Sequence, residues 1–181
     1  MSLAGGNVPR NAGARHNAGM AVEREPHTFL FEPAVWTGTG TLWRADGEAL
    51  ATQSRTQILH RKDCWLLSGT LKVLGSPPTE FQQAYLIELP RAPGESLKWT
   101  FDSAMFGKLH GRFAVVGSSI LAAYGCETSG YYGSEHLGQL DRNNYRSVGM
   151  LLLKDTLVYS WQQTLHKRAP AGPSSAAADG C

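Results

Sequence analysis

The fold class that the sequence predicts is all-β: an up-and-down antiparallel barrel of about ten strands. Three observations predict it. Between residues 27 and 168 the chain repeats a run of about 6 to 11 residues rich in Thr, Val, Ile, Leu, Tyr, Trp and Phe, each closed by a turn signal. No long segment carries a helical period. The connections are too short for parallel crossovers, which need about a dozen residues or more, so consecutive strands pair antiparallel. Ten consecutive strands in one flat sheet would leave long exposed edges, and closure into a barrel removes them.

The strands follow in order. "WTGTGTLW" opens the series and ends at "RADGE", where Asp46-Gly47 is a hairpin signal, before "ALATQSRTQILH". "RKD" leads into "CWLLSGTLKVL", "GSPP" into "TEFQQAYLIEL", and "PRAPGE" into "SLKWTFDS". The stretch 102 to 108, around "AMFGK", reads as a helical turn or a wide loop over one barrel end. "LHGRFAVVG", "SILAAYG", "YYGSEHLGQL", "YRSVGMLLL" and "TLVYSWQQTLH" complete the count, with Asp141-Arg142-Asn143-Asn144 as one of the turns.

Alternation assigns faces. It turns Trp65, Leu67, Gly69, Leu71 and Val73 inward on one strand, Leu97, Trp99 and Phe101 on another, and Leu157, Tyr159, Trp161, Gln163 and Leu165 on the last. A barrel of this strand number encloses more space than one layer of side chains fills, so an internal cavity is expected. The barrel is placed at 27–168. The flanks 1–26 and 169–181 are poor in large apolar residues and are expected to be disordered tails.

Composition narrows the function. The 181 residues suit one domain, and the formal net charge of +2 is spread over interleaved acids and bases, which gives no stripe for a nucleic-acid backbone. Nothing approaches the roughly 20-residue apolar run of a membrane helix or the apolar core of a secretory signal. The glycines and asparagines of residues 1–19 would spoil an amphipathic transit helix, so an extension ahead of Met20 is the expected reading. Three cysteines, Cys64, Cys126 and Cys181, without CxxC spacing suit a reduced cytoplasmic protein.

In "PAVWTGTG" the pattern Trp36-x-Gly38-x-Gly40 resembles the opening strand of the calycin group, the lipocalins, fatty-acid-binding proteins and nitrobindin-like barrels. The likeness is nearest to the nitrobindin-like pattern, although Ala34 stands where a glycine is usual, and the G-x-W of lipocalins is absent. "YRSVGMLLLKDTLVYSW" is similar to the closing hairpin of such barrels. The resemblance implies a barrel around a small hydrophobic molecule or, in the nitrobindin branch, a heme held by a C-terminal histidine. His166 alone could stand in that place, and alternation points it outward, so no heme or other cofactor is expected.

The candidate ligand-binding residues are Trp36, Trp65, Trp99, Tyr124, Tyr132, His136, Arg146, Tyr159 and Trp161. The tryptophans could equally be plain core or plugs of a barrel end. The mid-strand glycines serve strand bending and close packing, because none opens a helix in a phosphate-loop pattern. His60, His110, His136, Cys64 and Cys126 show no HExxH, CxxC or HxH spacing, so no metal site is expected.

In "GYYGSEHLGQL" alternation separates Tyr131, Gly133, Glu135 and Leu137 from Tyr132, Ser134, His136 and Gly138, so Glu135 and His136 cannot enter one cavity together. One reading leaves a half-buried strand with a solvated carboxylate. The other turns Tyr132 and His136 inward beside Tyr124 and Arg146. The next strand turns either Arg146, Val148, Met150 and Leu152 inward, the phase adopted here, or Tyr145, Ser147, Gly149 and Leu151.

The leading functional expectation is a binding protein for a small, mainly hydrophobic ligand, with an anionic head group paired to Arg146. The alternative is an isomerase, cyclase or lyase using His136 as base and Tyr124 or Tyr132 as acid. A third reading, a structural or interaction module, would show itself as a stable homodimer.

Overall fold

The computed structural model describes residues 25–92 and 94–169. The tails expected at 1–26 and 169–181 therefore lie outside the described residues, apart from Glu25, Pro26 and Ala169. Ten strands form: β1 (Ala34–Arg44), β2 (Ala49–His60), β3 (Cys64–Val73), β4 (Thr79–Glu88), β5 (Leu97–Ser103), β6 (Gly107–Val116), β7 (Ser119–Cys126), β8 (Tyr131–Asp141), β9 (Asn144–Leu153) and β10 (Thr156–Lys167). Each pairs antiparallel with its sequence neighbours, and β1 pairs with β10 to close the barrel. No helix occurs among the described residues, so none is long and apolar enough to cross a membrane.

The turns follow local chemistry. At the β1–β2 hairpin Gly47 takes φ 87°, a conformation that costs glycine little, while Asp46 Oδ1 accepts from the Glu48 N–H at 3.0 Å. Residues 102–108 form neither a helical turn nor a wide loop. β5 and β6 are joined by a tight turn in which Ser103 Oγ accepts from the N–H groups of Met105 and Phe106, and Gly107 takes φ 79°. The hydroxyl supplies the acceptor that a helix would otherwise have provided.

The inner face is populated as alternation predicts on β3 and β5: Leu67, Val73, Leu97, Trp99 and Phe101 are buried. Three assignments change. A bulge between Leu157 and Tyr159 inserts an extra residue in β10, so Leu157 leaves the inner face while Tyr159 keeps it. On β9 the buried set is Tyr145, Ser147 and Leu151, which leaves Arg146 outside. On β8 Gly133 and Leu137 are buried and Glu135 shares their face, so Tyr132 and His136 point outward.

The segment ahead of β1 closes one end of the barrel. Thr28, Phe29 and Leu30 are buried, and Trp36 meets Phe29 and Tyr145 edge to face while Phe29 and Tyr145 are tilted, with centroids 5.3 to 5.7 Å apart. The Tyr145 hydroxyl organises this plug. It accepts from the Thr28 N–H at 3.0 Å and, more weakly, from the Phe29 N–H at 3.4 Å, and lies 3.0 Å from His27 Nδ1. His27 Nε2 faces the Gly117 carbonyl, which can only accept, so Nε2 donates there and Nδ1 accepts the hydrogen bond of the tyrosine hydroxyl. Leu30 is held at φ 70°, and its carbonyl accepts from His60 Nε2 at 2.7 Å. Glu32 pairs with both Lys167 and Arg142 and fastens the segment to β10 and the β8–β9 turn.

Tyr145→Phe removes the acceptor of a buried backbone N–H. The expected cost is about 2 kcal/mol, or roughly 4 to 8 °C in the thermal midpoint for a domain of this size. An unchanged midpoint would show that the plug does not depend on this hydroxyl.

Candidate functional site

The barrel encloses a cavity of about 440 Å³. It opens at the end opposite the plug, where Arg44, Leu50, Val73, Thr79, Ser103 and Tyr159 form the rim. Beside this mouth the wall is thinnest. β4 and β5 are joined through three residue pairs, Tyr85 to Phe101, Leu86 to Thr100 and Ile87 to Trp99, so among the described residues the first half of β4 has no partner on that side. Phe81, Gln83, Phe101 and Phe106 line the cavity next to this gap.

The cavity exists because its largest side chains lie along the wall rather than across the lumen. Trp99 is opposite Gly111, Tyr124 opposite Gly133, and Trp161 opposite Gly149 on adjacent strands. Each ring covers its glycine. A methyl group on Gly111 would stand 2.2 Å from Trp99 Cζ2, one on Gly133 2.7 Å from Tyr124 Cζ, and one on Gly149 2.3 Å from Trp161 Cζ2. At Gly111 and Gly149 the ring is the first group a side chain would meet and would be pushed toward the lumen, while at Gly133 the Met150 carbonyl oxygen, 2.4 Å from the methyl, is met before Tyr124.

The lumen has two unlike walls. On β4 to β7, Tyr85 packs against Phe101 and Trp99, and Trp99 against Phe113 and Tyr124, with centroids 4.9 to 5.7 Å apart. Facing them is a polar band. Gln163 of β10 reaches across β1, donating from Nε2 to Thr52 Oγ1 at 3.2 Å and accepting at Oε1 from Ser54 at 3.1 Å. It crosses where Gly38 and Gly40 leave room, since a methyl on Gly40 would stand 2.8 Å from Gln163 Cγ. The Trp36-x-Gly38-x-Gly40 pattern thus has a local physical cause. Gln163 is paired in turn with Ser147, and Ser147 Oγ donates to Glu135 Oε1 at 2.5 Å.

Glu135 ends this band. Trp161 Nε1 makes a long bond of 3.4 Å to the same Oε1, while Oε2 has no partner among the described residues. Burial pushes the Glu135 pKa above the ordinary carboxylate value, and the Ser147 and Trp161 bonds offset part of that rise. The Tyr85 and Tyr124 phenols are pushed up as well, first by burial and then by the charge of Glu135. Arg44 is the only cation lining the cavity among the described residues, and it stands at the rim beside Asp46 and Glu48. Among the described residues no group of His, Cys, Asp and Glu is arranged to hold a metal ion.

The nine expected ligand residues divide three ways. Trp99, Tyr124, Tyr159 and Trp161 line the cavity. Trp36 is buried in the plug, and Trp65 stacks on His60 at 4.1 Å and meets Phe31 edge on at the same end. Tyr132, His136 and Arg146 lie on the outer wall, where His136 Nε2 bonds Ser119 Oγ at 2.8 Å and Arg146 donates to Gln162 at 2.9 Å. The pairing of Arg146 with a ligand anion and the inward acid–base set of His136 and Tyr132 are therefore corrected. The cause is strand phase: β8 and β9 bury the faces that carry Tyr145, Ser147 and Leu137. His166 also lies outside, bonded to Asn144 at 2.5 Å.

Glu135, Tyr85, Ser147, Ser54 and Thr52 were not expected at the site. Gly149 was the available signal on β9, because the face carrying it is the one that can lie beneath an aromatic ring. β8 carries a glycine on each face, Gly133 and Gly138, so no such signal existed there.

No family model and no curated protein matches the chain in sequence. Similarity appears among solved structures. The S-type phycobiliprotein lyase CPES from Guillardia theta is similar with TM-score 0.57 at 6% identity, over 77% of this chain and 90% of that one. What the two share is the fold. A putative AttH from Nitrosomonas europaea (TM-score 0.32, 11% identity, 86% of this chain and 58% of that one) is too distant to carry an argument. So is an N-terminal dehydratase from the difficidin assembly line (TM-score 0.24, 10% identity, 78% and 80%).

A raised pKa means that the native barrel holds the Glu135 proton to higher pH than the unfolded chain does. Its contribution therefore lowers stability as pH rises from the ordinary carboxylate value through the folded one. Glu135→Gln removes that loss. The variant should melt a few degrees above wild type at about pH 8, with the difference fading by about pH 4. A difference that did not change with pH would place Glu135 in solvent.

Proposed function

We propose that the protein is a calycin-type binding barrel that holds a small, mainly apolar molecule in its lumen. The observation that carries this reading is the open cavity itself: about 440 Å³, with an aromatic wall facing a short polar band. A concave, mostly apolar site with a few convergent polar groups suits a ligand of modest size. The aromatic rings supply contact area, while Glu135, Tyr85 and the Gln163 cluster supply orientation. Entry is through the rim and the gap beside β4.

Two features support this reading over that of an interaction module. Tyr85, Trp99, Phe101 and Phe113 give the lumen an apolar wall that a solid core would have filled, and the three glycine-covered rings keep it clear. An enzyme on this barrel, such as the fold of a phycobiliprotein lyase allows, would use Glu135 with Tyr124 or Tyr85 rather than His136 and Tyr132. Glu135 has the raised proton affinity that general acid–base work requires.

The test is binding of N-phenyl-1-naphthylamine, a neutral probe whose emission rises in a dry pocket. It should bind wild type and lose most of its affinity for Ala122→Phe, because Ala122 is buried on the lumen wall between Phe113 and Glu135. Met150→Gln on the outer wall should bind as wild type does. Equal binding by all three proteins would move the site out of the lumen.

A further inference from the structure

Among the described residues the lumen holds an acid and, inward of the rim, no cation. Among the described residues the cavity lining includes one carboxyl group, Glu135, and one cation, Arg44, which is engaged at the rim by Asp46 and Glu48. Arg55, Lys72, Lys98, Arg112 and Arg146 all alternate onto the outer wall. Within Glu135 the two oxygens differ. Oε1 receives both Ser147 and Trp161, and Oε2 is left without a partner on a side chain that borders the cavity.

An anionic ligand fits this site badly. Its charge would be buried beside a carboxyl group with no cation to meet it, and an uncompensated buried charge is among the most costly arrangements in a protein. A ligand cation reverses both terms. It supplies the counter-charge that Glu135 lacks, in a cavity also lined by Tyr85, Trp99 and Tyr124, whose ring quadrupoles attract cations.

We propose that the lumen selects a basic amine: a protonated nitrogen on a flat apolar body, docked with its N–H on Glu135 Oε2 and its body against Tyr85, Trp99 and Phe101. This rests on the lumen-binding reading above and sets its ligand class. The ammonium enters with its proton and meets Glu135 as a carboxylate, and any proton that burial holds on Glu135 leaves to solvent. The resulting pair is buried, with Ser147 and Trp161 already bonded to the carboxylate, so the anion is solvated on one side before the ligand arrives. The expected pairing of an anionic head group with Arg146 is thereby replaced by one of opposite sign.

Three probes with one body separate the alternatives: 1-naphthylmethylamine, 1-naphthaleneacetic acid and neutral 1-naphthalenemethanol, each titrated calorimetrically at neutral pH. Wild type should bind the amine about tenfold or more tighter than the acid, the range for a charge-assisted hydrogen bond, with the alcohol between them. In Glu135→Gln the advantage of the amine over the alcohol should vanish. Arg146→Met should leave all three affinities as they are. An acid that binds wild type as well as the amine does overturns the proposal, and so does an amine advantage that survives Glu135→Gln. If the alcohol binds while the amine gains nothing, only the ligand class fails. If none of the three binds, the lumen-binding reading fails with it.

Discussion

The lumen depends on one contact made three times: an aromatic side chain covering a glycine of the adjacent strand. Trp99 on Gly111, Tyr124 on Gly133 and Trp161 on Gly149 each turn a large side chain along the wall. A ten-strand barrel has more interior than one layer of side chains fills, and rings standing upright from several strands would meet in the middle and close it. Glycine removes the Cβ that would hold a ring upright. The same contact lays the Trp161 indole over Gly149, from where its N–H faces Glu135.

The two ends of the barrel divide the remaining tasks. The plug end concentrates the packing: Phe29, Leu30, Trp36, Ile58 and Tyr145 are all buried there, and Tyr145, His60 and the Glu32 ion pairs tie the backbone of the plug to the barrel. The mouth end gives up packing for access, with a β4–β5 ladder of three residue pairs. Between them the polar band runs from Thr52 and Ser54 through Gln163 and Ser147 to Glu135. Only its last member is ionisable, so the electrostatics of the lumen rest on Glu135.

Strand count, connectivity and barrel closure were legible in the sequence because turn signals and short connections act locally. The inner faces of β3 and β5 were legible as well, since CWLLSGTLKV and LKWTFDS alternate large apolar residues with polar ones. β8 and β9 were not. Tyr131 and Tyr132, Glu135 and His136, and Tyr145 and Arg146 place residues of similar size or polarity on opposite faces, and a slip of one residue exchanges the two sets. The phase was decided by cross-strand and long-range contacts that alternation does not contain: Tyr124 on Gly133, Trp161 on Gly149, and Tyr145 on the plug at Thr28. Leu157 was misplaced for a different reason, a bulge that alternation cannot show. The site was consequently read with its charge inverted, an arginine inside and a glutamate outside.

The most direct test of the account is the crystal structure of Gly111→Ala. The three atoms closest to the added methyl all belong to the Trp99 indole, the nearest at 2.2 Å, so the indole is the first group that must move. The account predicts an indole swung off the wall into the lumen and a cavity smaller than about 440 Å³. An indole in its present place, with the methyl accommodated and the cavity unchanged, would contradict it.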